Sequence, residues 1–258
     1  MQANAVKKQF QAGNLSVRIY ESRRAMGEAA AALAAERLRA LAAEHETVPV
    51  IFATGASQLE TLRALTTIPD LPWKRVIGFH LDEYIGIPDN HPASFRRYLR
   101  ENLSQRVPIS RFYWIGGSSN DLRSISEEYA MLLRSHPPLL CLLGIGENGH
   151  LAFNDPAEAN FDDPFDVRPV RLDLECRGQQ VAEGWFSKLE EVPEQAITLT
   201  IPAIMRVPEL VVSVPGERKA AIVRRTLHDP ISTACPSTIL RRHPHATLFL
   251  DAESAAAL

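Results

Sequence analysis

The residues best suited to chemistry in this chain stand at the ends of apolar runs. Leu142-Leu143 opens into Gly144-Ile145-Gly146-Glu147-Asn148-Gly149-His150-Leu151-Ala152-Phe153-Asn154-Asp155-Pro156, a glycine-broken loop that gathers polar and titratable side chains. His150 is of a type that exchanges protons near neutral pH, although a lone loop histidine also serves as an ordinary hydrogen-bonding residue. A second apolar run, 75–81, ends in the adjacent carboxylates Asp82 and Glu83, followed by Tyr84. Either could cap the next turn, and one facing a pocket could act as a general base. A third run, 48–53, ends in Thr54-Gly55-Ala56-Ser57. Small residues let backbone approach an anion, the start of the next helix offers unpaired N–H groups and a positive dipole, and two hydroxyls add donors. The competing reading is a helix cap by Ser57. Lys219, in Pro215-Gly216-Glu217-Arg218-Lys219, falls near another helix start, either to meet an anion or to lie in solvent.

Alternating strands and helices must position these groups. Apolar and β-branched runs predict strands at 15–20, 48–53, 75–81, 111–115, 139–143, 170–172, 196–201, 209–214 and 246–250. Helix-forming composition and turn signals predict helices at 24–46, 58–65, 93–103, 121–134 and 220–227. The alternation implies an α/β fold: a Rossmann-like, three-layer open sheet, mostly parallel, with helices on both faces. Ligands bind at the carboxyl ends of such strands, where the loops singled out above all emerge. Residues 157–169 turn acidic and proline-punctuated, and the stretch around 156–190 reads as a lid or as a plain surface excursion. No repeat, linker or composition break divides the chain, so one domain spanning 1–258 is expected.

The totals exclude several classes. With 258 residues and a formal net charge of −3, the chain has no basic field for nucleic acid or an anionic membrane surface. Its three cysteines, Cys141, Cys176 and Cys235, are widely spaced and form no C-x-x-C pair, which argues against a disulfide framework or zinc site and fits a reducing cytosol. Lys7 and Lys8 precede mostly polar or small residues at 9–14, and no run approaches the roughly 20 apolar residues that span a bilayer. A cytoplasmic protein without membrane or nucleic-acid partners is expected.

Taken together, residues 80–88 with His91-Pro92-Ala93-Ser94-Phe95, and the loop 144–156, resemble the glucosamine-6-phosphate deaminase (isomerase) family. The Thr54-Gly55 turn, the segment 192–200, the Lys219 helix start and the ending around His243-Pro244 extend the likeness, in order, through nearly the whole chain. The related 6-phosphogluconolactonases share the glycine–histidine loop but usually carry an arginine after the Asp-Glu pair, where this chain has Tyr84. The resemblance implies isomerisation of glucosamine 6-phosphate with loss of its 2-amino group, giving fructose 6-phosphate and ammonia without metal or redox cofactor. It implies that His150 assists ring opening, that Asp82 moves the C2 proton to C1, and that Asp155 orients the imidazole. Glu83 would touch substrate or position Asp82, or point into the scaffold. Thr54, Gly55, Ala56 and Ser57 would cradle the phosphate with Lys219 and Arg177, although the spacing at Gly178-Gln179-Gln180 departs from the family pattern. At 148 many members carry aspartate; Asn148 shifts the acidic support of His150 onto Asp155. The stretch 157–160 lacks the serine-rich, basic character of the N-acetylglucosamine-6-phosphate effector site, implying no activation of that kind. A lactone hydrolase or a noncatalytic sugar-phosphate sensor on the same scaffold are the alternatives, and a homo-oligomer is compatible with the reading.

Overall fold

The computed structural model of the chain describes residues 5–116 and 121–258. The polar stretch after Lys7 is an edge strand, β1 (Lys8–Ala12), paired antiparallel with β2 (Leu15–Ile19), whose alternate residues Leu15, Val17 and Ile19 are buried. Next comes α1 (Arg23–Glu44), started by Ser22, whose hydroxyl accepts the Ala25 N–H at 3.2 Å. Such a cap satisfies an N–H with no intrahelical partner and stabilises a helix by about 1 kcal/mol. There follow β3 (Val48–Phe52), α2 (Leu59–Thr67), β4 (Val76–His80), β5 (Asp82–Tyr84), α3 (Phe95–Leu99), β6 (Arg111–Phe112) and α4 (Leu122–Ser135). The remainder comprises β7 (Leu140–Leu143), β8 (Val167–Arg171), α5 (Leu174–Ala182), β9 (Gln195–Leu199), α6 (Ile201–Met205), β10 (Glu209–Val214), α7 (Ala220–His228) and β11 (Ala246–Leu250).

Eight strands form one sheet in the order β1-β2-β11-β10-β7-β3-β4-β6, parallel except at β1. This is the mostly parallel α/β sheet, covered on both faces, that the sequence implies. Its strands are apolar without interruption because alternate residues feed two cores. Val48, Val50, Phe52, Leu140 and Leu142 join α1 and α2 on one face, whereas Ile51, Cys141, Leu143, Leu210 and Val212 join α4, α6 and α7 on the other. A separate antiparallel sheet, β5-β9-β8, packs around a third cluster that includes Tyr84, Phe95, Phe153 and Phe186. Among the described residues, no helix is long and apolar enough to cross a membrane.

The sheet order fixes where loops diverge. From β3 the chain winds outward through β4 to β6, then returns to β7 on the opposite side of β3 and continues to β10 and β11. The winding reverses between β3 and β7, and parallel sheets leave a crevice at such a switch point, at the carboxyl ends of the strands.

Several boundaries differ from the sequence reading. The strand expected at 111–115 ends at Phe112, and the helix expected at 93–103 divides into α3 and a π-helical turn, Arg100–Ser104. The strand expected at 170–172 begins at Val167. The strand at 196–201 stops at Leu199 because Thr200 caps α6, accepting the Ala203 N–H at 3.3 Å. Residues 174–182, unassigned from sequence, form α5, capped by Asp173 accepting from the Cys176 N–H at 2.7 Å.

Candidate active site

A cavity of about 430 Å³ lies at the switch point, walled by the loops after β3, β4, β7 and β10 and by Gln179, Gln180 and Glu183 at the end of α5. Of the residues singled out from sequence, it brings together Thr54, Gly55, Ala56, Ser57, Asp82, His150 and Lys219. Asn148 and Asp155 stand behind His150, while Glu83 and Arg177 are not on the wall.

His150 is held from three sides. Its backbone N–H donates to Asn148 Oδ1 at 3.0 Å. Its ring presses on the Gly146 backbone so closely that a Cβ at 146 would lie 2.2 Å from ring atoms, which explains a glycine there. Its Nδ1 lies 3.0 Å from Asp155 Oδ1, close enough for the carboxylate to hold the ring although the alignment falls short of a strict hydrogen bond. With Nδ1 on the carboxylate side, Nε2 is the nitrogen left for the cavity. Burial alone would raise the Asp155 pKa, but His150, the Asn148 amide and the Asp173 N–H together outweigh it and hold the carboxyl below its usual range.

Asn148 turns out to be more than an acid replaced by an amide. Its Nδ2 donates to Asp155 at 2.9 Å and to Asp173 at 3.0 Å, bridging two carboxylates, while the Asp173 N–H donates to Asp155 Oδ2 at 3.0 Å. The α5 cap and the histidine support are thus one network. Donor atoms of His150, Asp155 and Cys176 all lie within 4.8 Å of one another and could hold a soft cation. Burial, and then the Asp155 and Asp173 charges, push the Cys176 thiol well up, so a metal would have to displace its proton.

Asp82 is buried at the cavity, and burial followed by the neighbouring Glu83 charge raises its pKa well above the ordinary carboxylate value. It caps no turn. Glu83 points the other way, into the scaffold. Its carboxylate accepts from the N–H groups of Tyr84, Phe95 and Arg96, from Ser94 Oγ and from Arg96 Nε, all between 2.9 and 3.2 Å. This anchors β5 to the start of α3, and its effect on the cavity is the charge it places behind Asp82. His80, two residues before Asp82 and at the end of β4, is wholly buried and accepts the Ile115 N–H at 2.8 Å; burial and then Arg96 lower its pKa to about 3, so it is neutral scaffold.

Elsewhere on the cavity wall two turns share one conformation. Gly55 (φ 89°, ψ 173°) and Gly216 (φ 93°, ψ 150°) each precede a short 3-10 turn that runs into α2 or α7. Their positive φ, and not crowding, requires glycine. Ser57 makes no helix cap; its Oγ accepts from Gln58 Nε2 at 3.2 Å. Lys219 is buried against the cavity, 7% exposed, and burial lowers its pKa. Arg177 departs from the role its motif implied, because its Nη2 donates to the Leu189 and Val192 carbonyls at 2.8 and 3.0 Å. Sequence reasoning also passed over Arg23, Glu147, Gln179, Gln180, Glu183 and Arg218 on the wall. Asp173 before Leu174-Glu175 was a legible cap signal for the helix that brings three of them.

A family model for glucosamine-6-phosphate isomerases/6-phosphogluconolactonase matches residues 21–249. The chain belongs to the glucosamine-6-phosphate isomerase/6-phosphogluconolactonase family. Within it, the chain is similar to the glucosamine-6-phosphate deaminase of Oenococcus oeni, with 31% identity over 80% of this chain and 85% of the relative. The Exiguobacterium sibiricum glucosamine-6-phosphate deaminase is 37% identical over 72% of this chain and 71% of its own length. A solved monomeric glucosamine-6-phosphate deaminase superposes with a TM-score of 0.85 at 26% identity, covering 94% of this chain and 99% of that one. A 6-phosphogluconolactonase from Thermotoga maritima shares the fold, with a TM-score of 0.75 at 19% identity, covering 92% of this chain and 99% of its own.

Proposed function

We propose that this protein converts glucosamine 6-phosphate and water into fructose 6-phosphate and ammonia, using the cavity at the switch point. The observation that carries the reading is one cavity lined by a buried carboxylate, a carboxylate-backed histidine, a glycine-containing turn that runs into a helix, and a buried lysine. The phosphate sits at the Thr54-Gly55-Ala56-Ser57 turn, where unpaired N–H groups and hydroxyls meet it, with Lys219 supplying charge. His150 Nε2 moves a proton at the ring oxygen as the pyranose opens, and Asp155 stabilises the imidazolium that forms. Asp82 takes the C2 proton and returns a proton at C1, turning the 2-amino aldose into an imine of the ketose. Water then replaces nitrogen at C2 and ammonia leaves, so atoms balance without a redox partner.

A base of this kind works best with a pKa nearer the working pH than an ordinary aspartate, which burial and Glu83 arrange for Asp82. The chain acts as one domain, 1–258, in which the segment around 156–190 closes over the sugar; Gln179, Gln180 and Glu183, already on the wall, support that role. Three buried, unpaired cysteines suit a cytoplasmic setting. The test is incubation with glucosamine 6-phosphate, galactosamine 6-phosphate and 6-phosphogluconolactone in parallel, following ammonia, fructose 6-phosphate and lactone loss. Ammonia and fructose 6-phosphate in equal amounts from the gluco substrate are expected. Lactone hydrolysis without ammonia from either amino sugar would replace this reading with the lactonase one.

A further inference from the structure

We infer that Arg23, the first residue of α1, supplies the guanidinium that completes the phosphate subsite, in place of Arg177; this rests on the placement of the phosphate at the 54–57 turn. A phosphate monoester carries a charge of about −1.5 to −2 at pH 7, more than a single lysine balances. Glu183 faces the same cavity, with Gln179 Nε2 at 2.6 Å and Trp185 Nε1 at 3.1 Å on its carboxylate, so its charge has only neutral donors against it there. Lys219 alone would be offset by Glu183, and a dianion needs another cation.

Among the described residues, three cationic side chains reach the cavity wall: Arg23, Arg218 and Lys219. Arg218 is paired with Glu147, its Nε donating at 2.8 Å. Arg177 is spent on two carbonyls away from the wall. Arg23 makes no ion pair among the described residues. Its Nη2 donates to the Ala56 carbonyl, inside the anion turn itself, and its Nε is buried without a hydrogen-bond partner. An unsatisfied buried N–H is unfavourable, and an arriving anion can remove that penalty. The turn is fixed from its other side by Tyr98, whose hydroxyl donates to the Gly55 carbonyl at 2.9 Å. The guanidinium is therefore held next to the phosphate turn before substrate arrives, and little side-chain entropy is lost on binding.

The test is calorimetric titration of the full chain with inorganic phosphate, comparing the native protein with Arg23→Gln and Arg23→Lys, and with melting curves for all three. Arg23→Gln should weaken phosphate binding at least about tenfold, as expected for loss of a charge-assisted contact. Arg23→Lys should fall between the two, with melting temperatures unchanged. Equal binding by native and Gln proteins, equal weakening in both variants, or no phosphate binding by the native protein would each overturn the inference. The titration involves no turnover, so it separates this claim from the proposed reaction. Weakened binding in Arg23→Gln alongside a native protein that releases no ammonia would keep Arg23 and remove the deaminase. Ammonia release with unchanged phosphate binding in Arg23→Gln would do the reverse.

Discussion

Replacing Gly146 with alanine should disable the histidine while every titratable residue keeps its identity. The added Cβ would lie 2.2 Å from Cε1 and Nε2 of His150 and 2.3 Å from Nδ1, against ordinary contact from 3.4 Å, so the ring must retreat by about 1.2 Å. That movement disturbs the 3.0 Å approach of Nδ1 to Asp155 and takes Nε2 off its line to the sugar. A misplacement of about 1 Å can cost on the order of a hundredfold in rate, or about 2.7 kcal/mol of activation free energy. The assay is the kcat for ammonia release from glucosamine 6-phosphate, with inorganic phosphate affinity measured beside it because the phosphate turn lies on a different loop. The expected result is a kcat loss on the order of a hundredfold with phosphate affinity within about twofold. A folded variant with kcat within about threefold of native would refute the idea that contact with Gly146 sets the working position of His150.

Other perturbations test the surrounding network. Asn148→Asp puts a third carboxylate where an amide now donates to Asp155 and Asp173 at 2.9 and 3.0 Å. It should destabilise by about 2 kcal/mol or more at pH 8 and less near pH 4, where a shared proton relieves repulsion; urea midpoints at the two pH values check this, and a more stable variant at pH 8 would contradict it. Glu83→Gln deprives buried Arg96 of one of its two carboxylate partners and breaks several N–H contacts, for a cost of about 3 kcal/mol by denaturant unfolding; a loss under about 1 kcal/mol would show the anchor to be dispensable. Asp82 has a raised folded-state pKa, so its contribution to stability is full below the unfolded value near 4 and is lost as pH rises through the folded one. Asp82→Asn should therefore melt higher than native at pH 8, with the difference vanishing near pH 4; a lower melting point at pH 8 would reverse the burial argument. The same shift places the acidic limb of native kcat/KM above the ordinary carboxylate range, and a limb near pH 4 would count against Asp82 as the base.

How much of this was legible in sequence varies with the locality of the cause. The central strands could be read because burial on both faces makes them continuously apolar, and the ligand-side loops because they break that continuity with glycine and charge. α5 escaped notice because Gly178 and its polar neighbours weaken any apolar period; Asp173 and the contacts behind His150 hold it in place. Arg177 fits a motif by residue type, but its destination depends on where the 189–192 backbone passes. Asn148 is visible in sequence as a lost charge, and only its contacts show a donor shared by two carboxylates. Arg23 reaches a turn 33 residues later, a meeting that no local pattern announces.

The proposed role of Asp82 is to move the proton between C2 and C1 in a cavity whose phosphate grip is separate from it. Calorimetric binding of glucosamine 6-phosphate to Asp82→Asn, set against ammonia release by the same preparation, tests this most directly. Binding within about threefold of the native KM or Kd and turnover lowered by about 10²-fold or more are expected, because an amide keeps the size of the carboxylate and cannot take the proton. Ammonia release near the native rate by this variant would contradict it.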